Sequence, residues 1–199
     1  MMHSATHKIE RDSLLSLEAY ARQRKEFRAK VIAHKKDRTV HLGAHVTLLF
    51  EDELTVRYQV QEMLRIERTF EEQGIQDELD VYNPLMPEGR NLKATMMLEY
   101  ADAEERKHAL SKLKGIEDRV WVQVEGCPRV DAIADEDLER ENDEKTSAVH
   151  FLRFELSADM TRALKCGVGL SMGVDHRNYQ AELGAVSPGV RASLARDLD

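Results

Sequence analysis

The stretch TSAVHFLRFEL, residues 146–156, alternates apolar and polar side chains almost without fault. Successive side chains of a strand point to opposite faces, so Ala148, His150, Leu152, Phe154 and Leu156 fall on one face, and Phe151, Arg153 and Glu155 on the other. That pattern belongs to a strand with one face on a core. Working outward, TVHLGAHVTLLF reads as a hairpin about Gly43, with strands over 39–42 and 45–50. LKATMMLEY reads as a strand, RVWVQVEGCPRVDAIA as a pair of strands about Glu125-Gly126, and VGLSMGVDH as another. Helical periods separate them. One runs over residues 11–38, capped by Asp12 or Ser13; a second over 53–73, capped by Asp52 and ended by Gly74. Shorter helices follow in IQDELDVY, DAEERKHALSKLKG, SADMTRALKCG and the tail SPGVRASLARDLD, and DEDLERENDEK is an acidic connector. The strands are not all separated by crossover helices, and no glycine-rich turn joins a strand to a helix. The expectation is therefore α+β, with a mainly antiparallel sheet of six or seven strands and the N-terminal and central helices packed on it. The 199 residues suit one domain, with a helical arm over 1–38 and an α+β body over 39–199.

Composition narrows the function classes. The chain is 42% hydrophobic, enough for a sizeable core, and no apolar run approaches the length that spans a bilayer. No secretory signal is apparent, and two cysteines 39 residues apart, Cys127 and Cys166, make no disulfide framework, so a reduced, cytoplasmic protein is expected. The P-loop, G-x-G-x-x-G, H-E-x-x-H and G-x-S-x-G patterns are all missing, which disfavours nucleotide hydrolysis, NAD chemistry, zinc proteolysis and serine hydrolysis. The net charge of −8 is uneven. Residues 22–38 hold eight basic side chains against Glu26 and Asp37, a local charge of +6 that leaves −14 on the remainder. Such a block suits a docking surface for an acidic partner, with Arg24, Arg28 and Lys35 as its contacts. Nucleic acid is a weaker fit, because Phe27 is the only aromatic in the block and it reads as core.

Several stretches resemble a family of bacterial proteins of unknown function: LLSLEAYARQRKEFRAKVIAHKK, TLLFEDELTVRYQVQEMLRIER, GIQDELDVYNPLMP, NLKATMMLEY, GIEDRVWVQVEG and AIADEDLERENDEKTSAVHFLRFEL. The resemblance covers most of the chain and implies a bacterial cytosolic protein. It also implies a neighbourhood of rubrerythrin-type and iron–sulfur redox proteins, and so a partner of that kind. It supplies no catalytic residues.

Polar groups set against the apolar pattern give the candidate site. On a helix over 53–73, Glu67 and Glu71 lie within the stripe of Val56, Val60 and Leu64, four residues apart. Two carboxylates brought together out of water require a proton or a cation between them; an arginine partner or a route to solvent is the plainer explanation. His150 and His176 each stand in line with core side chains. An antiparallel pairing that sets Leu156 opposite Leu170 sets His150 opposite His176, and Glu99 or Asp175 is a candidate third ligand for iron, zinc or manganese. Core histidines on unpaired strands remain the alternative. His41 and His45 flank a turn and do not suit joint ligation. Two functions follow: a metal-binding accessory protein in redox or stress metabolism, using His150, His176, Glu67 and Glu99, and a non-catalytic interaction module using the basic block; a homo-oligomer is compatible with either. The first is preferred, chiefly on the resemblance.

Overall fold

The computed structural model describes residues 8–134 and 145–199; the acidic connector falls mostly outside them. The architecture is α+β, with every strand pair antiparallel, in two sheets. Six strands and the first helices come in the order α1 (Leu17–Lys35), β1 (Thr39–Leu42), β2 (Val46–Phe50), α2 (Glu53–Glu67), α3 (Glu72–Tyr82), β3 (Asn91–Leu98), α4 (Ala103–Lys112), β4 (Val120–Val124), β5 (Val130–Asp131) and β6 (Ile133–Ala134). They are followed by β7 (Val149–Glu155), α5 (Ala158–Lys165), β8 (Leu170–His176), β9 (Tyr179–Leu183) and α6 (Pro188–Ala195). One sheet runs β1-β2-β3-β7-β6 and the other β5-β4-β8-β9.

The expected single sheet is thus two sheets around one core. Val46, Leu48, Phe50, Leu92, Met96, Leu152 and Phe154 of the first meet Val120, Val122, Leu170, Met172 and Val174 of the second. Both margins are closed. At one, β5 pairs with β4 and β6 with β7, so a single short segment bends at Ala132 from one sheet into the other. Two-residue strands are too short for a period to show, which is why this segment reads as one strand in the sequence. At the other margin the Tyr179 hydroxyl donates to the Leu42 carbonyl at 2.5 Å and accepts from the His45 amide at 3.1 Å. Gly43 is required there twice over: its φ is +72°, and a Cβ would lie 2.6 Å from the Tyr179 hydroxyl. Tyr179 opens β9, a short, half-exposed strand that the sequence reading lacks, although Tyr179, Ala181 and Leu183 alternate with Gln180 and Glu182 and pack on the core.

The helices on the far side of the first sheet have their own small core. Ile9, Leu14 and Leu17 pack with Val56, Val60 and Leu64 of α2 and with Leu79 of α3. Residues 11–13 form a 3-10 turn, and the cap of α1 is Ser16, whose hydroxyl accepts from Ala19 N, in place of Asp12 or Ser13. Asp52 caps α2 in a reciprocal capping box with Thr55.

α2 does not continue to Gly74. Arg68 adopts a left-handed conformation (φ 56°) and Thr69 N bonds back to Leu64 O at 2.9 Å, a Schellman closure that stops the helix at Glu67. α3 then starts at Glu72. Gly74 lies inside α3, where a Cβ would come within 2.6 Å of the Thr69 methyl; its small size allows the corner to be tight.

Arg38 ties the layers together. It is 1% exposed. Its guanidinium donates to the carbonyls of Phe50 (2.8 Å) and Glu51 (2.9 Å), to Ser193 Oγ (3.3 Å) and, through two nitrogens, to Asp197 (3.2 and 2.5 Å). Asp52, itself 2.5 Å from His34, lies 3.4 Å away. The end of α1, the close of β2, the cap of α2 and the last helix therefore share one cation. Burial works to raise the Asp197 carboxyl above its ordinary range, against the pull of Arg38. Replacing Arg38 by Met would leave Asp197 buried without its cation and two carbonyls without donors. A loss of about 3–5 kcal/mol in urea denaturation is expected; a loss below about 1 kcal/mol, the range of a surface pair, would show that the node is not structural.

Candidate functional site

The structure disperses the residues that the sequence grouped as metal ligands. His150 and His176 both face the core, as their alternation requires, but they lie in different sheets. His150 on β7 stands opposite Met96 of β3, and His176 on β8 opposite Tyr179 of β9. The inferred pairing of β7 with β8 does not occur, because β3 and β6 flank β7 while β4 and β9 flank β8. The two-histidine site falls with it. His150 is fully buried; its Nε2 lies 3.0 Å from Ser147 O, 3.1 Å from Thr146 Oγ1 and 3.7 Å from Glu117 Oε2. His176 places Nε2 3.1 Å from Lys114 O, and its Nδ1 accepts from Asn178 N at 3.3 Å. These are bonds that hold turns onto strand ends.

The carboxylates are equally scattered. Glu67 and Glu71 are both exposed, on either side of the α2–α3 corner, so they do not share a helical stripe. Phe70, at the same corner, is 73% exposed. Glu67 acts instead across the corner: burial first, and the Glu67 charge second, raise the Glu78 carboxyl. Glu99 is exposed and accepts from the Thr47 hydroxyl at 2.5 Å; that hydroxyl is 3.0 Å from His41 Nδ1. Among the described residues, no group of three or more His, Cys, Asp or Glu side chains could hold a metal ion.

The basic block is partly internal. Arg24 makes a bidentate pair with Glu62 of α2 (2.7 and 2.8 Å), which also accepts from the Tyr20 hydroxyl (2.6 Å) and Arg65 (3.1 Å). Lys35 is half-buried, its ammonium 5.9 Å from the Tyr58 ring centroid. Arg38 is the buried node. Arg28 is exposed. Arg24 and Lys35 thus hold α1 against α2, while Arg22, Lys25, Arg28, Lys30 and Lys36 stay exposed.

A concavity lies where the helical layer meets the outer face of the first sheet. It has a volume of about 1030 Å³. Thr95 of β3, Phe151 of β7 and Ile133 of β6 line the sheet side; Val81 and Tyr82 of α3 line the other. Val81 is 65% exposed and Ile133 40%, so apolar surface is presented from both walls. At one end the ions are mutually held. Lys93 Nζ donates to Pro84 O (2.8 Å) and Glu88 (3.1 Å), Arg153 donates to Glu155, and Asn91 bridges Glu155 and Glu88. Burial works to raise the Glu88 and Glu155 carboxyls, but these donors outweigh it and keep both below the usual carboxylate range. Glu51, 2% exposed, lies at the base, its two oxygens taking the hydroxyls of Thr95 (2.6 Å) and Thr55 (2.5 Å). Nothing in the sequence marks this cleft, whose walls come from positions 51, 81, 95 and 133.

The mixed α+β architecture and the cleft allow the chain to be set beside known proteins. It belongs to the DUF3501 family of proteins of unknown function, whose sequence model matches residues 8–198. A crystal structure of a novel protein of unknown function from Burkholderia pseudomallei K96243 is similar over 96% of this chain and 100% of that one, at 57% identity and a TM-score of 0.93. No curated protein matches significantly in sequence. No helix among the described residues is long and apolar enough to cross a membrane.

The Arg24–Glu62 clamp gives a pH-dependent expectation. The hydrogen bond from Arg24, followed by those from Tyr20 and Arg65 and opposed by burial, lowers the Glu62 carboxyl from 4.5 to about 2. A carboxyl depressed on folding stabilises above its unfolded value and ceases to as pH falls through its folded one. About 2 kcal/mol should therefore be lost between pH 5 and pH 2. Glu62→Gln should remove that part of the pH dependence in denaturant titrations, whereas an unchanged profile would show that the pair contributes nothing.

Proposed function

We propose that this protein is a non-catalytic accessory protein that docks a partner through the cleft between α3 and the outer face of the five-stranded sheet. The observation that carries this reading is the pair of exposed apolar side chains, Val81 and Ile133, on facing walls of a 1030 Å³ cleft whose Lys93 and Arg153 are already held by its own acids. Exposed apolar surface rimmed by polar groups is characteristic of an interaction site. A partner segment that inserted an apolar side chain between the walls would cover it without breaking the ion pairs.

This moves the interaction site away from the basic block, where Arg24 is engaged by Glu62 and Arg38 is buried, although Arg22, Lys25, Arg28, Lys30 and Lys36 remain exposed. The partner class implied by the family resemblance, a redox or iron–sulfur protein, is retained as part of the proposal. A resident metal is not, because the described residues provide no site for one.

The test is a pair of variants assayed against purified redox partners. Val81→Asp with Ile133→Asp is expected to weaken complex formation in isothermal titration by at least about 100-fold, as for loss of a buried interface centre, with the melting temperature nearly unchanged, since both residues are exposed. Arg28→Glu is expected to have little effect. Loss of binding in Arg28→Glu, with binding retained in the double variant, would return the site to the basic block.

A further inference from the structure

We infer that the cleft recognises a cationic side chain, a lysine or arginine of the docked partner, through the buried carboxylate of Glu51; this rests on the cleft being the docking site. Glu51 lines the cleft and is 2% exposed. Its carboxylate receives two hydrogen bonds, from Thr95 and Thr55, and both donors are neutral hydroxyls. They fill two of the roughly four acceptor sites of a carboxylate and bring no positive charge. Arg38 donates to the Glu51 backbone carbonyl, 2.9 Å away, and directs its charge at Asp197 and Asp52. The N-terminus of α2 begins two residues later and contributes a partial positive charge, which lowers the cost without supplying a cation.

The rest of the cleft points the same way. Its acids are Glu51, Asp80, Glu88 and Glu155, and its cations Arg90, Lys93 and Arg153, a net charge of −1. Lys93 is held by Glu88 and Pro84 O, Arg153 pairs with Glu155, and Arg90 has Glu155 as its acid, at 3.9 Å. Asp80 accepts from Gln76 Nε2 at 2.7 Å, another neutral donor. Glu51 and Asp80 are thus the two acids of the cleft that no cation pairs with among the described residues. An ionised carboxylate out of water without a countercharge is costly. A partner that brings the cation relieves that cost on binding, and its methylene stem lies against the apolar walls at Val81 and Ile133. Thr95, half-buried, donates to Glu51 Oε1 and itself lines the cleft.

The experiment uses the full chain and an array of blocked pentapeptides with apolar residues flanking a varied centre, read by fluorescence polarisation. Peptides centred on Lys or Arg are expected to bind at least about tenfold more tightly than the norleucine-centred peptide, a modest share of what a desolvated charge pair contributes. Glu51→Gln should reduce them to the norleucine level, and Asp80→Asn should weaken them about two- to threefold, as for an exposed pair. If Glu51→Gln does not fold, by circular dichroism, the Lys-to-norleucine ratio of the unaltered protein decides. Equal binding of Lys and norleucine peptides, lost in the Val81→Asp, Ile133→Asp variant, would overturn the charge inference and leave the cleft as a docking site. Failure of every peptide to bind would overturn both. Binding of n-butylammonium as tightly as the Lys peptide would make a free amine the ligand in place of a partner protein. A concentration-dependent dimer dissolved by Glu51→Gln would make a second copy the occupant.

Discussion

A single buried guanidinium sets the geometry on which the rest of the structure depends. Arg38 sits between the end of α1 and the start of β1, and its five donors reach backbone on β2, a hydroxyl on α6 and the carboxylate just beyond that helix. An arginine can serve this purpose because its planar fork presents donors in fixed directions; a lysine ammonium could not satisfy two carbonyls and a bidentate carboxylate at once. The burial of its charge is offset by Asp197 and Asp52, and Asp52 also caps α2. The hairpin, the helical layer and the C-terminal helix are therefore positioned by the same few bonds.

The cleft follows from that arrangement. Arg38 holds the Glu51 carbonyl while Glu51 N donates to Lys93 O, so the backbone at the cleft base is fixed from both sides. Glu51 is thereby committed to the outer face of the sheet beside Thr95. The Schellman stop at Arg68 turns the chain so that α3 returns over the same face and presents Val81 to Ile133. Had α2 continued to Gly74, there would be no second wall. The left-handed arginine at that corner carries a backbone cost that a glycine would avoid.

What the sequence made legible was the local pattern. The alternation over 146–156, the Gly43 hairpin, the Asp52 cap and the Ser187-Pro188 start of α6 all appear where their chemistry puts them. Even the inward facing of His150 and His176 was correct. Strand partnership was not legible, because a period of two fixes a face and says nothing of a neighbour; hence two histidines on one core were placed in one sheet when they belong to two. The α2–α3 corner escaped notice because one residue in a left-handed conformation leaves the apolar period on either side intact. Arg38 read as one surface charge among eight, with no local signal that Asp197, 159 residues away, would bury it. The cleft is assembled at the same long range, and its one anomalous side chain, Glu51, sits at a strand end where an exposed acid is the ordinary expectation.

On the proposed function, recognition occurs in this cleft and not on the basic face of α1. Amide nitrogen–proton spectra of the labelled protein, titrated with the Lys-centred peptide, test it most directly. The largest shift changes are expected on Glu51, Val81, Thr95 and Ile133, with α1 unperturbed. Changes concentrated on Arg22, Lys25 and Arg28, with the cleft amides unmoved, would contradict it.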